Sequence, residues 1–196
     1  GKPVRVGIIG FGIRGEQLCR SLGYATDEWI AAMEEEEALA KTEGRPFTAL
    51  TDFLTQEPLN VRIVGVCDVF DIRAEKAARS FGTAEQPVKR YQTYTDMIQS
   101  GEVDAVVIAT PDHWHAPMSI EALRNNVHVY VEKPMTHTVA ETYALKEAAR
   151  NSKATLQVGH QHRQTQSFLA AQDVIAKDIL GHISLIQANT NRNQDV

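Results

Sequence analysis

Cysteine is scarce in this sequence. The 196 residues contain two, Cys19 and Cys67, in stretches that read as a helix and a strand. Two thiols make neither a disulfide framework nor a metal-ligand spacing, so buried, inert cysteines are expected and no metal site is. Long apolar runs are missing too: none approaches the roughly 20 residues that span a bilayer, and a membrane is not an expected partner. A basic surplus is also lacking. Lys and Arg total 20 against 25 Asp and Glu, a net charge of −5, which leaves no excess of cations to neutralise phosphates and argues against nucleic-acid binding. No internal repeat or low-complexity tract is present. The first residue is Gly1 rather than Met, so a leader upstream is neither visible nor excluded, and location stays open between cytoplasmic and exported.

What remains is an ordinary globular composition, 43% hydrophobic and 23% charged. The length accommodates one large domain plus a fragment of another. Along the chain, short β-branched runs alternate with helical patterns. Strands are expected at 4–9, 61–67, 88–91, 103–109, 127–131 and 155–158, with helices near 13–22, 72–81, 96–99, 116–124, 139–150 and 166–180. That alternation predicts an α/β fold, a doubly wound and mainly parallel sheet with helices on both faces. Residues 24–60 differ in composition and read as an inserted helical excursion, in which Glu34 to Glu37 form a solvated helix face. Gly181 breaks the last helix and 182–189 is expected to restart as a strand. The dinucleotide-binding domain would then cover 1–180, with 181–196 opening a second, α/β substrate domain.

Three clusters carry chemistry. Gly10-Phe11-Gly12-Ile13-Arg14-Gly15 lies between the first strand and the first helix. There Gly10 permits a tight turn, Gly12 lets a pyrophosphate approach the backbone, and Gly15 lets helix pack on strand. The helix N-terminus adds free N–H groups and the positive end of its dipole. Asp68 ends the second strand, where an acidic residue bonds the adenine ribose hydroxyls. It follows Gly15 by 53 residues rather than the usual ~20, and the excursion accounts for the excess. A carboxylate there repels a 2′-phosphate, favouring NAD over NADP; Arg73 is the counter-argument, read as a helix-surface residue.

The second cluster, Ala109-Thr110-Pro111-Asp112-His113-Trp114-His115, follows the fourth strand, at the edge where such sheets bind ligands. Its two histidines lack a third ligand nearby, which tells against metal. A helix-start hydrogen bond from one histidine and packing of Trp114 near the nicotinamide are the better readings. The third cluster is Glu132-Lys133-Pro134. Lys133 either donates a proton or holds a substrate hydroxyl, or it is a surface lysine in a salt bridge with Glu132; the triplet alone leaves both open.

Together, GFGIRG, Cys67-Asp68, ATPDHWHAPM from Ala109 and HVYVEKPMTHT from His128 resemble the N-terminal domain of the glucose–fructose oxidoreductase, inositol dehydrogenase and rhizopine-catabolism family. The resemblance spans nearly the whole chain except the excursion. It implies a Rossmann domain followed by an α/β substrate domain, tightly held NAD(P), and hydride transfer at a sugar or cyclitol carbon. By position it implies pyrophosphate binding at Gly10 to Gly15 and ribose binding at Asp68. Thr110, Pro111 and His115 would line the cofactor site. Glu132 and Lys133 would sit by the nicotinamide, with Lys133 as the catalytic residue on the reacting hydroxyl and Pro134 after a cis peptide. Gly159-His160-Gln161-His162-Arg163 matches a loop at the substrate mouth, making His160 and Arg163 substrate candidates.

The same resemblance places a catalytic Asp and His beyond Val196, so this chain is expected to bind dinucleotide and turn over poorly alone. A full-length parent would be a homo-oligomer. Two alternatives stay open. Relatives with similar TPDHWH loops are glycosidases that oxidise a ring hydroxyl transiently, eliminate, add water and re-reduce. A non-catalytic dinucleotide-binding regulatory module is the other, though a pure binder has no need of Lys133.

Overall fold

A computed structural model describes residues 1–187. Six parallel strands form one sheet in the order β3-β2-β1-β4-β5-β6: β1 Val4–Ile9, β2 Val61–Cys67, β3 Lys89–Arg90, β4 Ala105–Ile108, β5 His128–Glu132 and β6 Leu156–Gly159. The helices of this part are α1 Ile13–Ser21, α2 Asp27–Glu43, α3 Ala49–Thr55, α4 Asp71–Phe81, α5 Tyr94–Gln99, α6 His115–Arg124 and α7 Val139–Asn151. The doubly wound, parallel sheet expected from the alternation is what the chain forms. None of the helices among the described residues is long and apolar enough to cross a membrane.

The strands read as near-continuous apolar runs because both of their faces are covered. Side chains alternate across the sheet. Ile9, Val106 and Ile108 therefore enter one core with Met97 and Ile98 of α5, Leu123 of α6 and Leu145 of α7. Their neighbours Ile8 and Val107 enter a second core with Leu18 and Cys19 of α1 and Ala74 and Ala77 of α4. Both cysteines are buried, as expected. Burial pushes the Cys19 thiol up to about 12 and, with help from neighbouring Asp68, the Cys67 thiol up to about 11.

At the amino end of the sheet, Arg5 and Asp104 tie β1 to the approach of β4. The Asp104 carboxylate accepts from the Arg5 backbone N–H at 2.8 Å and from its Nη2 at 2.7 Å. This hydrogen-bonded pairing holds the Asp104 carboxyl below its ordinary value.

The excursion is helical, built of α2 and α3. The Thr26 hydroxyl caps α2 by accepting from the Trp29 N–H, and Trp29 meets Phe53 of α3 edge-on at 5.3 Å. Of the four glutamates, 34, 35 and 37 are exposed, and Glu36 pairs with Arg45.

The chain divides into two compact units, Gly1–Gly159 and a second from His160. Within the second, α8 (Gln166–Ala176) ends earlier than its apolar pattern predicts. Asp178 turns left-handed at φ +53 and the Ile179 N–H reaches back to the Val174 carbonyl, a Schellman closure. The expected strand at 182–189 is not formed over 182–187, which carry no regular structure. Among the described residues no strand pairs with it, and without a ladder the segment has no partner for its backbone groups. Residues 188–196 lie outside the described residues.

Candidate functional site

β1 delivers the chain to the carboxyl edge of the sheet, where the glycine loop turns. Gly10 takes φ +89, and a Cβ there would lie 2.7 Å from the Ala109 carbonyl oxygen. A Cβ on Gly15 would collide with the Gly10 carbonyl oxygen, so α1 packs against its own loop only because that side chain is missing. Gly12 differs: a Cβ there would meet only the Arg73 guanidinium, at 3.4 Å, so the face it presents is otherwise open. As N-cap of α1 it supplies no side-chain acceptor, leaving the first-turn N–H groups for an anion. Phe11 sends its ring into the core, edge-on to Phe81, and donates its backbone N–H to the Asp68 carboxylate at 2.7 Å.

A cavity of about 560 Å³ opens along this edge. Gly10, Gly12, Ile13 and Arg14 form one wall and Asp68 another, while Thr110, Pro111 and Trp114 close the far side. The second oxygen of Asp68 accepts the Phe70 N–H at 2.8 Å. Two backbone donors thus aim the carboxylate at the end of β2 and leave each oxygen further accepting capacity. Uncapped helix N–H groups, an open glycine face and an aimed carboxylate suit a dinucleotide's pyrophosphate and ribose.

Val69, Phe70, Arg73, Tyr94 and Met118 also line the cavity, and sequence reasoning singled out only Arg73 among them. Arg73 is on the exposed face of α4, as expected. Its guanidinium, however, lies 4.8 Å over the Phe70 ring and closes the cavity beside Gly12, so it is more than a surface residue. Phe70 was signalled only by its place just past a strand's carboxyl end. Tyr94, whose ring is 6.2 Å from that of Trp114, had no sequence signal.

Beyond β4 the chain forms a short 3-10 turn at Asp112–Trp114 and enters α6 at His115. Neither histidine supplies the expected helix-start bond. His115 is buried, with Nδ1 2.6 Å from the Pro134 carbonyl oxygen and Nε2 2.9 Å from that of Thr110. It thereby connects the loop after β4 to the turn after β5. A second link is parallel to it: Asp112 Oδ2 lies 3.0 Å from His137 Nε2, a hydrogen bond that holds the Asp112 carboxyl below its ordinary value.

β5 ends at Glu132, which is buried, and Lys133 follows, exposed, with a cis peptide to Pro134. Glu132 does not pair with Lys133. Its Oε1 accepts from Arg14 Nε at 2.8 Å and lies 2.7 Å from Nη2 in an ion pair, while Arg14 Nη1 donates to Gln17. Among the described residues Lys133 makes no ion pair. His160 and Arg163 belong to the second unit, where both are exposed and the Arg163 N–H donates to the His160 carbonyl.

Residues 4–160 match the oxidoreductase family with an NAD-binding Rossmann fold, the glucose–fructose oxidoreductase, inositol dehydrogenase and MocA group. The chain belongs to this family. The expectation of an NAD-binding Rossmann domain from an oxidoreductase family therefore holds. Among curated relatives, inositol 2-dehydrogenase of Salmonella paratyphi B is 30% identical over 122 residues, covering 62% of this chain and 35% of that protein. Glycosyl hydrolase family 109 protein 2 of Shewanella sp. strain ANA-3 is 39% identical over 94 residues, 45% of this chain and 20% of that protein. The fold is shared with myo-inositol dehydrogenase from Lactobacillus casei, solved in complex with NAD(H) and myo-inositol. The TM-score is 0.67 at 23% identity, with 91% of this chain and 43% of that one covered. The chain thus spans less than half the length of the relatives it matches.

Proposed function

We propose that this chain is the NAD-binding part of an oxidoreductase that transfers a hydride between NAD and a hydroxyl-bearing carbon of a sugar or cyclitol. The observation that carries this reading is the continuous cavity from the glycine loop past Asp68 to the Thr110–Trp114 loop at the carboxyl edge of the sheet. In it the first-turn N–H groups of α1 take the pyrophosphate, and the Asp68 carboxylate accepts the adenine ribose hydroxyls. Bound NAD supplies the hydride acceptor. Lys133, exposed in the turn after β5, holds the reacting hydroxyl and assists movement of its proton. Thr110, Pro111, Trp114 and His115 shape the nicotinamide end, and His160 and Arg163 contribute to substrate contacts.

The first test is a titration of this chain, stripped of co-purified nucleotide, with NAD and NADP by calorimetry. NAD binding at least about tenfold tighter than NADP supports the Asp68 assignment. A preference for NADP transfers the discriminating role to Arg73. No binding of either sinks the reading.

The glycosyl hydrolase relative favours one second reading, glycoside cleavage through transient oxidation and re-reduction. In a longer protein that carries this sequence, net NADH production with a free sugar or cyclitol supports the dehydrogenase. Cleavage of a glycoside with no net NADH supports the glycosidase. In either case Lys133→Met is expected to lower kcat by at least about 100-fold while leaving NAD affinity within threefold. Turnover that survives this change removes Lys133 from its role.

A further inference from the structure

The Arg14 side chain belongs to the phosphate loop, yet its charge is committed elsewhere. Strands β1 and β5 are not neighbours; β4 lies between them. Arg14 reaches from the start of α1 past the end of β4 and places two nitrogens on Glu132 Oε1, at 2.8 and 2.7 Å. The carboxylate side chain is only 7% exposed, against 39% for the arginine. A carboxylate that deep needs its partner, and the partner comes from the loop that faces the pyrophosphate. The site around it is closed. Tyr130, on the same strand, is pushed up from its ordinary value by burial and by the Glu132 charge. A side chain on Gly159 would meet the Tyr130 hydroxyl at 2.6 Å and Glu132 Oε1 at 3.0 Å. The next residue after Glu132 is Lys133.

We propose that Arg14 and Glu132 are positioning residues that join the pyrophosphate-binding loop to the turn carrying Lys133, so that the cofactor's two halves are bound by one coupled unit. The proposal rests on the reading of the cavity as the NAD site. It differs from the simpler role of Arg14 as a direct phosphate contact. A direct contact would act on any ligand bearing the pyrophosphate and would not need Glu132. A link acts through Glu132, on ligands that also occupy the nicotinamide end.

A double-mutant cycle on this chain separates the two. NAD, ADP and AMP are titrated into wild type, Arg14→Met, Glu132→Gln and the double variant. Expected is a loss of NAD affinity of about tenfold in each single variant and no further loss in the double, the signature of residues acting as one unit. AMP and ADP affinities stay within threefold, which also shows that the variants are folded. Arg14→Lys, able to return one nitrogen to Glu132, recovers part of the loss and carries the test if Arg14→Met fails to fold. Two results overturn the link: equal losses for NAD and ADP in Arg14→Met with none in Glu132→Gln, or unchanged NAD affinity in both. Failure of the wild-type chain to bind NAD at all overturns the cavity assignment and the link with it.

Discussion

The two ends of the sheet are each tied by an arginine and an acidic residue, and the two ties differ in their surroundings. At the amino end Arg5 and Asp104 are 39% and 41% exposed; water and salt screen them, and the pair adds little beyond aligning β1 with β4. At the carboxyl end Arg14 and Glu132 have similar bond lengths, but the carboxylate is buried. The same pairing is thus a surface fastening on one edge and an obligatory partnership on the other. Stability and function diverge along the same line, because open sheets of this kind bind ligands only at the carboxyl ends of their strands.

Three experiments of decreasing expected effect separate the two ends of the sheet. The largest effect is expected from Gly15→Ala, which drives a methyl group into the Gly10 carbonyl. It should cost about 2–3 kcal/mol of overpacking strain, a fall in Tm of roughly 5–10 °C, and abolish NAD binding by calorimetry. Next is the matched pair of arginine removals. Arg14→Met strands a buried carboxylate and should cost about 2 kcal/mol, less than a fully buried pair because the arginine is half in water. Arg5→Met should cost less than about 1 kcal/mol and leave NAD affinity unchanged. Equal costs in denaturant melts would erase the distinction between the two ends.

The smallest effect concerns pH. The folded Asp104 carboxyl lies below its ordinary value, so its contribution is complete above the unfolded carboxylate value and is lost as pH falls through the folded one. The Tm gap between wild type and Asp104→Asn should be complete at neutral pH and shrink steadily as pH falls below the ordinary aspartate value of about 3.9. A gap that persists there would mean the carboxylate acts by shape rather than charge.

Much of this was legible in the sequence. The glycine loop, Asp68, the Thr110–His115 stretch and Glu132-Lys133-Pro134 were found because each follows a β-branched run, and a parallel sheet brings all such ends to one edge. What the sequence could not show was pairing across that edge. Glu132 immediately precedes Lys133, which offered their pairing as one reading, yet its partner is 118 residues away in α1. His115 likewise joins two loops whose proximity comes from β4 and β5 lying side by side. The strand expected after Gly181 is not formed over 182–187 for the converse reason: apolar side chains alone do not supply the neighbour a strand requires.

The two buried thiols give this molecule an internal clock. With Cys19 at about 12 and Cys67 at about 11, almost no thiolate exists at pH 8, and the Cys19 sulfur has no path to solvent in the closed state. An alkylating reagent must therefore wait for α1 to leave the sheet before it reaches Cys19. Cys19 would time the release of α1 from the sheet, and Cys67, in the lining of the cavity beside Asp68, would report access to that cavity. Any ligand that occupies the carboxyl edge should slow both, turning a mass measurement of alkylation into a readout of occupancy that needs neither turnover nor an optical signal.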